Sequence, residues 1–80
     1  MYYAYILKSL ADGGYYYGST ADLGRRLEAH NFGRVRSTKA RRPLTLHYEE
    51  CFDLKTAAIR RERFFKSPLG YAWLKAKGII

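Results

Sequence analysis

Residues 2–20 read YYAYILKSLADGGYYYGST, and this stretch decides the fold. In YYAYILK the residues are β-rich and alternate between two faces, so Tyr3, Tyr5 and Leu7 share one face of a strand. The DGG sequence at residues 12–14 supplies turn chemistry, because glycine tolerates positive φ. YYYGST then reads as the returning strand. The stretch therefore predicts an antiparallel hairpin with a longer loop.

A helix and a third strand are predicted after the hairpin. Thr20 can cap a helix over residues 21–31, with Leu23 and Leu27 as its core stripe. Residues 44–52, LTLHYEECF, alternate as a half-buried strand that places Leu44, Leu46 and Tyr48 on one face.

Two further helices complete the chain. Asp53 or Thr56 is predicted to cap a helix that continues to about Lys66. The Ser-Pro pair at residues 67–68 starts a short last helix, which Gly78 stops. The order β-β-α-β-α-α predicts an α+β fold in which a small three-stranded antiparallel sheet is flanked by helices.

Composition narrows the class of protein. Eighty residues predict a single domain, residues 1–80, and the net charge of +8 indicates an anionic partner, most simply nucleic acid. Cys51 is the only cysteine, so no intrachain disulfide forms; we expect it to be a small core residue in a reducing, cytoplasmic compartment. No apolar run approaches the roughly 20 residues of a membrane span, and no signal peptide is expected.

Glu62 interrupts an apolar helical face. In TAAIRRERFFK, at residues 56–66, Ala58, Ile59, Glu62 and Phe65 fall on one side of the helix, while the basic residues point mostly toward solvent or phosphate. A buried carboxylate is costly unless it is paired or binds a metal. Glu62 is therefore a metal ligand, one partner of a salt bridge to an arginine of the first helix, or a glutamate at the edge of the apolar face.

Arg26 and His30 share a helical face because they are four residues apart. An arginine next to the core stripe can clamp phosphate oxygens with its planar guanidinium, and a nearby imidazole can assist proton transfer or hold a hydroxyl. The alternative is a solvated arginine and a histidine that is favoured by the end of its helix.

A basic segment follows the first helix. Residues 33–42, GRVRSTKARR, contain five basic side chains and no acid. Such a segment predicts contacts to phosphates, which supply affinity and salt dependence but little sequence information. The predicted phosphate-binding residues are Arg34, Arg36, Lys39, Arg41 and Arg42.

The tyrosines of the hairpin divide between its two faces. Tyr16 and Gly18 point to one face of the second strand, and Tyr15 and Tyr17 to the other. Tyr5 on the paired strand is expected to lie close to Tyr16. A free phenol has a pKa near ~10, so a basic surround would be needed for one of them to act as a base at neutral pH.

These motifs together resemble the GIY-YIG nuclease superfamily. Tyr3-Ala4-Tyr5 is similar to the family's GIY triplet, and Tyr16-Tyr17-Gly18 to its YIG triplet. The segment DLGRRLEAHN looks like the first helix of the family, and AAIRRERFFK like the helix that bears its glutamate. The resemblance covers nearly the whole chain and is strongest to small stand-alone bacterial members related to UvrC and the intron endonucleases.

The resemblance implies hydrolysis of DNA phosphodiester bonds with low sequence specificity, as in DNA repair or processing. It assigns Mg²⁺ or Mn²⁺ to Glu62, phosphate neutralisation to Arg26, and the water to Tyr5 or Tyr16, with His30 as a further catalytic residue. The implied substrate is DNA, branched or single-stranded. The alternative is a non-catalytic nucleic-acid-binding module, or a subunit of a larger nucleoprotein complex with a protein partner.

Overall fold

The first strand of the chain is the centre of the sheet. In the computed structural model, which describes residues 1–80, β1 (Tyr2–Ser9) pairs antiparallel with both β2 (Tyr15–Thr20) and β3 (Leu44–Phe52), giving the order β2-β1-β3. The helices are α1 (Leu23–Asn31), α2 (Lys55–Phe65) and α3 (Pro68–Ala76), with a short 3₁₀ turn at Lys39–Arg41. The predicted α+β class and element order are confirmed. None of the three helices is long and apolar enough to cross a membrane.

The β1–β2 hairpin forms as predicted. Gly13 has a φ of 73°, and the Asp12 carboxylate accepts a hydrogen bond from the backbone N–H of Gly14 at 2.7 Å. Arg41 donates to the same carboxylate at 2.9 Å, and this bond is the main reason that the pKa of Asp12 is lowered to about 2. The ion pair ties the tip of the hairpin to the basic segment.

The two faces of β1 build two separate layers of the core. Ala4 and Ile6 pack with Phe65 of α2 and Leu74 of α3. On the opposite face, a second cluster is formed by Tyr5, Leu7, Leu44, Leu23 and Leu27. The alternation predicted for β1 is therefore confirmed, and the α1 face of the sheet carries Tyr5.

The predicted faces of β3 are wrong because the strand contains a bulge. Ile6 pairs with Tyr48 and Leu7 pairs with Leu46, which leaves His47 as an extra residue. Tyr48 consequently packs on the α2 and α3 layer, whereas Leu44 packs on the α1 layer. An irregularity of one residue exchanges the faces of every residue beyond it.

A second correction concerns Cys51, which lies beyond the bulge. The sequence predicts a small core residue, but the Cys51 side chain is exposed. Its strand neighbours Glu50 and Phe52 are partly buried instead.

Two predicted helix caps are also wrong. α1 begins after Asp22, whose Oδ1 accepts from the backbone N–H three residues further on at 3.0 Å, so Asp22 rather than Thr20 caps it. Thr20 instead accepts from the N–H of Asp22. α2 follows Leu54, which has no capping side chain, so neither Asp53 nor Thr56 is the cap.

Arg61 of α2 serves packing rather than phosphate binding. Its Nε donates to Glu50 of β3 at 2.7 Å, and its guanidinium lies 4.5 Å from the ring centre of Trp73 and 4.6 Å from that of Phe64. Tyr48 donates to the other oxygen of Glu50 at 2.6 Å; burial, with Glu50, raises the pKa of Tyr48 to about 12. This network attaches α2 and α3 to the sheet.

Candidate active site

The Tyr5 hydroxyl lies at the centre of the candidate site. Its oxygen is 3.1 Å from His30 Nε2 and 3.4 Å from Arg26 Nε, and the Tyr5 side chain is buried. Gly18 faces Tyr5 across the hairpin, and a Cβ at Gly18 would lie 2.4 Å from the Tyr5 hydroxyl oxygen. β1, β2 and α1 therefore bring four of the predicted site residues together.

A directed chain of hydrogen bonds runs inward from Arg26. Thr38 Oγ1 lies 3.4 Å from the Val35 carbonyl, to which it donates, and 2.8 Å from His30 Nδ1. The hydroxyl therefore accepts the Nδ1 proton of His30, which leaves Nε2 to accept the proton of Tyr5. Arg26 Nε donates to the same tyrosine oxygen. Every buried polar side-chain atom in this hydrogen-bond chain has a partner, and these bonds orient Arg26, Tyr5 and His30.

Thr38 is a site residue that the sequence analysis missed. It is buried beneath a segment whose other residues are mostly basic and exposed. A threonine in such a segment carries no sequence signal, because its contact to His30 depends on the path of the loop. The carboxyl end of α1 and the 3₁₀ turn together place it there.

Burial sets the protonation states of the chain. It raises the pKa of Tyr5, and the hydrogen bond from Arg26 opposes this only in part. Tyr5 is therefore protonated at neutral pH, and the basic composition of the protein does not make it a phenolate. Burial and the charge of Arg26 lower the pKa of His30 to about 4. The neutral imidazole is the form that accepts from Tyr5.

The buried neutral histidine predicts how stability depends on pH. The pKa of His30 is about 4 in the folded protein against a reference value of 6.5, so the unfolded chain takes up a proton first as the pH falls. The contribution of His30 to the free energy of unfolding is therefore complete above pH 6.5 and is lost progressively as the pH falls toward about 4. Urea unfolding measured across this range is expected to show the decline.

A His30→Gln variant tests this assignment. It removes the titrating group, so the decline between pH 6.5 and 4 is expected to flatten even though the variant is less stable overall. His47→Gln is the control for the loss of a histidine as such, because His47 lies exposed on β3. An unchanged slope in His30→Gln would show that other groups cause the decline.

Tyr16 lies on the same face as the site. Its ring centre is 4.9 Å from that of His30 and 6.4 Å from that of Tyr5, and the residue is half-buried. Tyr15 and Tyr17 pack against the core on the opposite face, as the alternation predicts. Tyr16 is thus the phenol of this site that reaches solvent.

Glu62 lies at the edge of the site on α2. Lys66 donates to Glu62 Oε2 at 2.7 Å, so the predicted alternative of a salt bridge to an arginine of α1 is not formed. The carboxylate is near enough for its charge to contribute to the raised pKa of Tyr5. Its side chain is 20% exposed, and Oε1 makes no hydrogen bond within the chain.

The donor set around Glu62 limits the kind of metal that it can hold. The structure contains no group of three or more His, Cys, Asp or Glu side chains arranged to hold an ion. Zn²⁺ sites need three or four protein ligands, whereas Mg²⁺ keeps most of its waters and needs one or two carboxylates together with substrate phosphates, and Mn²⁺ is likewise suited by carboxylate and water oxygens. Glu62 therefore fits a hydrated hard cation and does not fit a closed protein cage.

The basic segment is attached to the site through Thr38, which is hydrogen-bonded to His30. Arg41 is paired with Asp12 and also donates to the Tyr15 carbonyl, so its charge is already engaged. Four of the five predicted phosphate-binding residues remain exposed without an acidic partner. They are Arg34, Arg36, Lys39 and Arg42.

Comparison with known proteins identifies relatives of this chain. It is 48% identical over 67 residues to a UPF0213 protein of Bacillus pumilus, an alignment that covers 82% of this chain and 67% of the relative. It is 43% identical over 63 residues to a UPF0213 protein of Halobacterium salinarum, covering 78% of this chain and 80% of that protein.

A solved structure and a family match extend this relationship. The solution NMR structure of a UPF0213 protein from Bacillus halodurans is similar with a TM-score of 0.55 and 34% identity, and the match covers 95% of this chain and 84% of that one. Residues 1–73 match the family described as the GIY-YIG catalytic domain. These residues include the whole Tyr5, Arg26 and His30 cluster together with Glu62. The chain therefore belongs to the GIY-YIG family.

Proposed function

We propose that this chain, as a single domain over residues 1–80, is a divalent-metal-dependent nuclease that hydrolyses DNA phosphodiester bonds with low sequence specificity. The observation that carries the proposal is the buried hydrogen-bond chain that fixes Arg26 against Tyr5 and His30. A guanidinium that is already held in one orientation can stabilise negative charge that develops on a phosphate, because the side chain does not have to reorient during the reaction. Membership of the family supports the same assignment.

The buried part of the site orients Arg26. Tyr5 accepts from Arg26 Nε, and the hydroxyl of Tyr5 is itself held by the neutral imidazole of His30. The guanidinium also interacts with the Tyr16 hydroxyl, and its other N–H groups can bind non-bridging phosphate oxygens. In this proposal Tyr5 and His30 position Arg26, and Tyr5 does not act as a phenolate.

Tyr16 is the residue that we assign to the attacking water. It is half-buried, it lies on the face that carries Arg26, and its hydroxyl contributes to the raised pKa of Arg26. A phenol at this position can hold a water by a hydrogen bond and pass its proton to solvent. The sequence leaves open whether Tyr5 or Tyr16 binds the attacking water. We assign the water to Tyr16 because Tyr16 is half-buried, whereas Tyr5 is fully buried.

Glu62 would hold Mg²⁺ or Mn²⁺. Bound there, the metal supplies a Lewis acid that stabilises charge on the phosphate and on the leaving oxygen. Lys66 pairs with one oxygen of Glu62, so metal binding competes with this ion pair or uses the other oxygen. The exposed basic residues Arg34, Arg36, Lys39 and Arg42 would bind flanking phosphates.

A cleavage assay with Glu62→Gln tests the proposal. Branched, single-stranded and duplex DNA are incubated with the protein and Mg²⁺, Mn²⁺ or EDTA. The wild type is expected to cleave only with metal, and Glu62→Gln is expected to lose about 100-fold or more in rate, because a bound metal lowers the barrier by several kcal/mol. Glu49→Gln is the matched control, since Glu49 is exposed on β3 and makes no ion pair.

The same assay separates nuclease activity from the alternative function. A non-catalytic nucleic-acid-binding module, or a subunit of a nucleoprotein complex, needs only the exposed basic residues Arg34, Arg36, Lys39 and Arg42 and no metal at Glu62. Cleavage that persists in Glu62→Gln or in EDTA contradicts the metal site. Binding without any cleavage supports the alternative.

A further inference from the structure

Three neighbouring cavities along α1 share lining residues and together form a groove that begins at the candidate site. A cavity of about 120 Å³ contains Tyr5 and Arg26 at one end and shares Gly24 and Leu27 with a neighbouring cavity of about 360 Å³. The second cavity shares Asn31 with a third and more open one. The shared lining residues recur every three or four positions, so they form one stripe along the helix.

Charge alternates along this groove. Arg26 lies at the catalytic end, and Lys39 and Arg42 line the far end. Glu28, which is exposed, is the only charged residue that lines the middle cavity, and Leu27 and Phe32 are its apolar walls. A phosphate suits either end but is repelled from the middle, so the middle suits an uncharged planar group.

Phe32 is the exposed aromatic residue of the middle cavity. It is 64% exposed, although a phenylalanine gains free energy by burial, and it makes no part of either core cluster. The Arg34 guanidinium lies 5.5 Å from its ring centre, which adds a cation beside the aromatic face. An aromatic ring flanked by arginine in a basic groove is the arrangement that stacks unpaired bases.

The axial spacing of Arg26 and Phe32 is comparable with a short stretch of a nucleic-acid strand. Six residues separate Arg26 from Phe32, which is about 9 Å along a helix axis at 1.5 Å per residue. Stacked nucleotides of one strand rise about 3.4 Å each, so two to three nucleotides correspond to this axial spacing of Arg26 and Phe32. Asn31 is fixed between them, because its amide pairs with both backbone groups of Leu44 at 2.8 Å.

We infer that Phe32, with Arg34, is a stacking site for an unpaired nucleobase of a DNA strand whose neighbouring phosphates lie at Arg26 and at Lys39 and Arg42. The inference depends on the proposed function for the role of Arg26. It adds to that function the form of DNA that binds in the groove. Within a duplex, neighbouring base pairs cover both faces of each base, so a base cannot stack on Phe32 there. The groove therefore favours single-stranded or locally unpaired DNA.

Binding measured without metal tests the site independently of cleavage. Fluorescence anisotropy in EDTA compares a labelled single-stranded oligonucleotide, its duplex, and a strand of equal length made of abasic nucleotides. Phe32→Ala is expected to weaken binding of the normal single strand about 5- to 150-fold, because stacking on one aromatic side chain contributes about 1–3 kcal/mol per base. Binding of the duplex and of the abasic strand is expected to change less than about twofold, since phosphate contacts dominate both.

Two further variants make the result specific. Phe32→Tyr keeps an aromatic ring and is expected to bind single strands like the wild type. Leu69→Ala removes an apolar side chain that is 78% exposed on α3, outside the groove, and is expected to change nothing. Equal weakening of all three ligands by Phe32→Ala, or no weakening of any, overturns the stacking site. The nuclease proposal is tested separately, because loss of stacking leaves metal-dependent cleavage to be measured, and loss of cleavage leaves base-dependent binding in EDTA intact.

Discussion

Gly70→Ala is expected to destabilise the protein by about 3 kcal/mol or more, because the added methyl group clashes with backbone atoms of α2, which cannot move aside as a flexible side chain could. A Cβ at Gly70 would lie 1.6 Å from the carbonyl oxygen of Phe64 and 2.9 Å from the Cα of Phe65. Gly70 is buried in the first turn of α3, where its N–H donates to Ser67 Oγ at 3.1 Å. The two helices must therefore separate by more than 1 Å to admit the methyl group.

Separation of α3 from α2 affects much of the core. Phe65 and Leu74 belong to the cluster that covers one face of the sheet, and the rings of Phe65 and Trp73 are stacked with centres 6.5 Å apart. Arg61 connects the same helices through Trp73. Urea unfolding followed by the fluorescence of Trp73, the only tryptophan, measures the loss. A melting temperature lower by roughly 4–8 °C per kcal/mol is expected for a domain of this size.

Gly24→Ala is the matched control for this prediction. Gly24 also lies in the first turn of a helix, but it is exposed, and a Cβ there would come only within 3.6 Å of Asp22 Oδ1. Alanine is the better helix former, so this variant is expected to gain up to about 1 kcal/mol. A Gly70→Ala protein that unfolds within about 0.5 kcal/mol of the wild type would mean that the helices adjust freely to the methyl group.

The local patterns of the sequence predict most of the fold. Alternation in β1 assigns Tyr5 and Ile6 to opposite layers, and the two layers are present. The Ser67 start of α3 and the turn at Gly13 form as predicted, because each depends on a residue type acting within a few positions of itself. Spacing of four on α1 likewise brings Arg26 and His30 to one side of Tyr5.

The features that the sequence did not predict depend on contacts between distant segments. The bulge at His47 is set by pairing with β1, and nothing in the alternation of residues 44–52 signals it. Arg61 has the pattern of a solvent-exposed residue until Glu50 and Trp73 are placed beside it. The pKa of Tyr5 follows from its burial, which a count of basic residues does not report. Turns, caps and strand alternation can be predicted from nearby residue types. Strand register and pKa shifts depend on contacts that form only in the folded chain.

In the nuclease proposed above, Gly18→Ala is expected to lower the cleavage rate about 100-fold, because a displacement near 1 Å at a residue of the site costs this much. A Cβ at Gly18 would lie 2.4 Å from both Cζ and the hydroxyl oxygen of Tyr5, well inside van der Waals contact. The Tyr5 ring is buried and its hydroxyl is held by His30 and Arg26, so it cannot rotate away without breaking both hydrogen bonds. Arg26 then loses the contact that orients it.

A double-mutant cycle shows whether Gly18 acts through the Tyr5 hydroxyl. If it does, Tyr5→Phe alone lowers the rate to a similar extent, and adding Gly18→Ala to Tyr5→Phe costs little more. Binding of DNA in EDTA is expected to stay within about threefold of the wild type in each variant, since the exposed basic residues are untouched. Tyr17→Phe, on the opposite face of the same strand, is the control and is expected to keep full activity. Additive losses, or a Gly18→Ala enzyme with more than half of the wild-type rate, would show that the close approach of Gly18 to Tyr5 is a matter of packing alone.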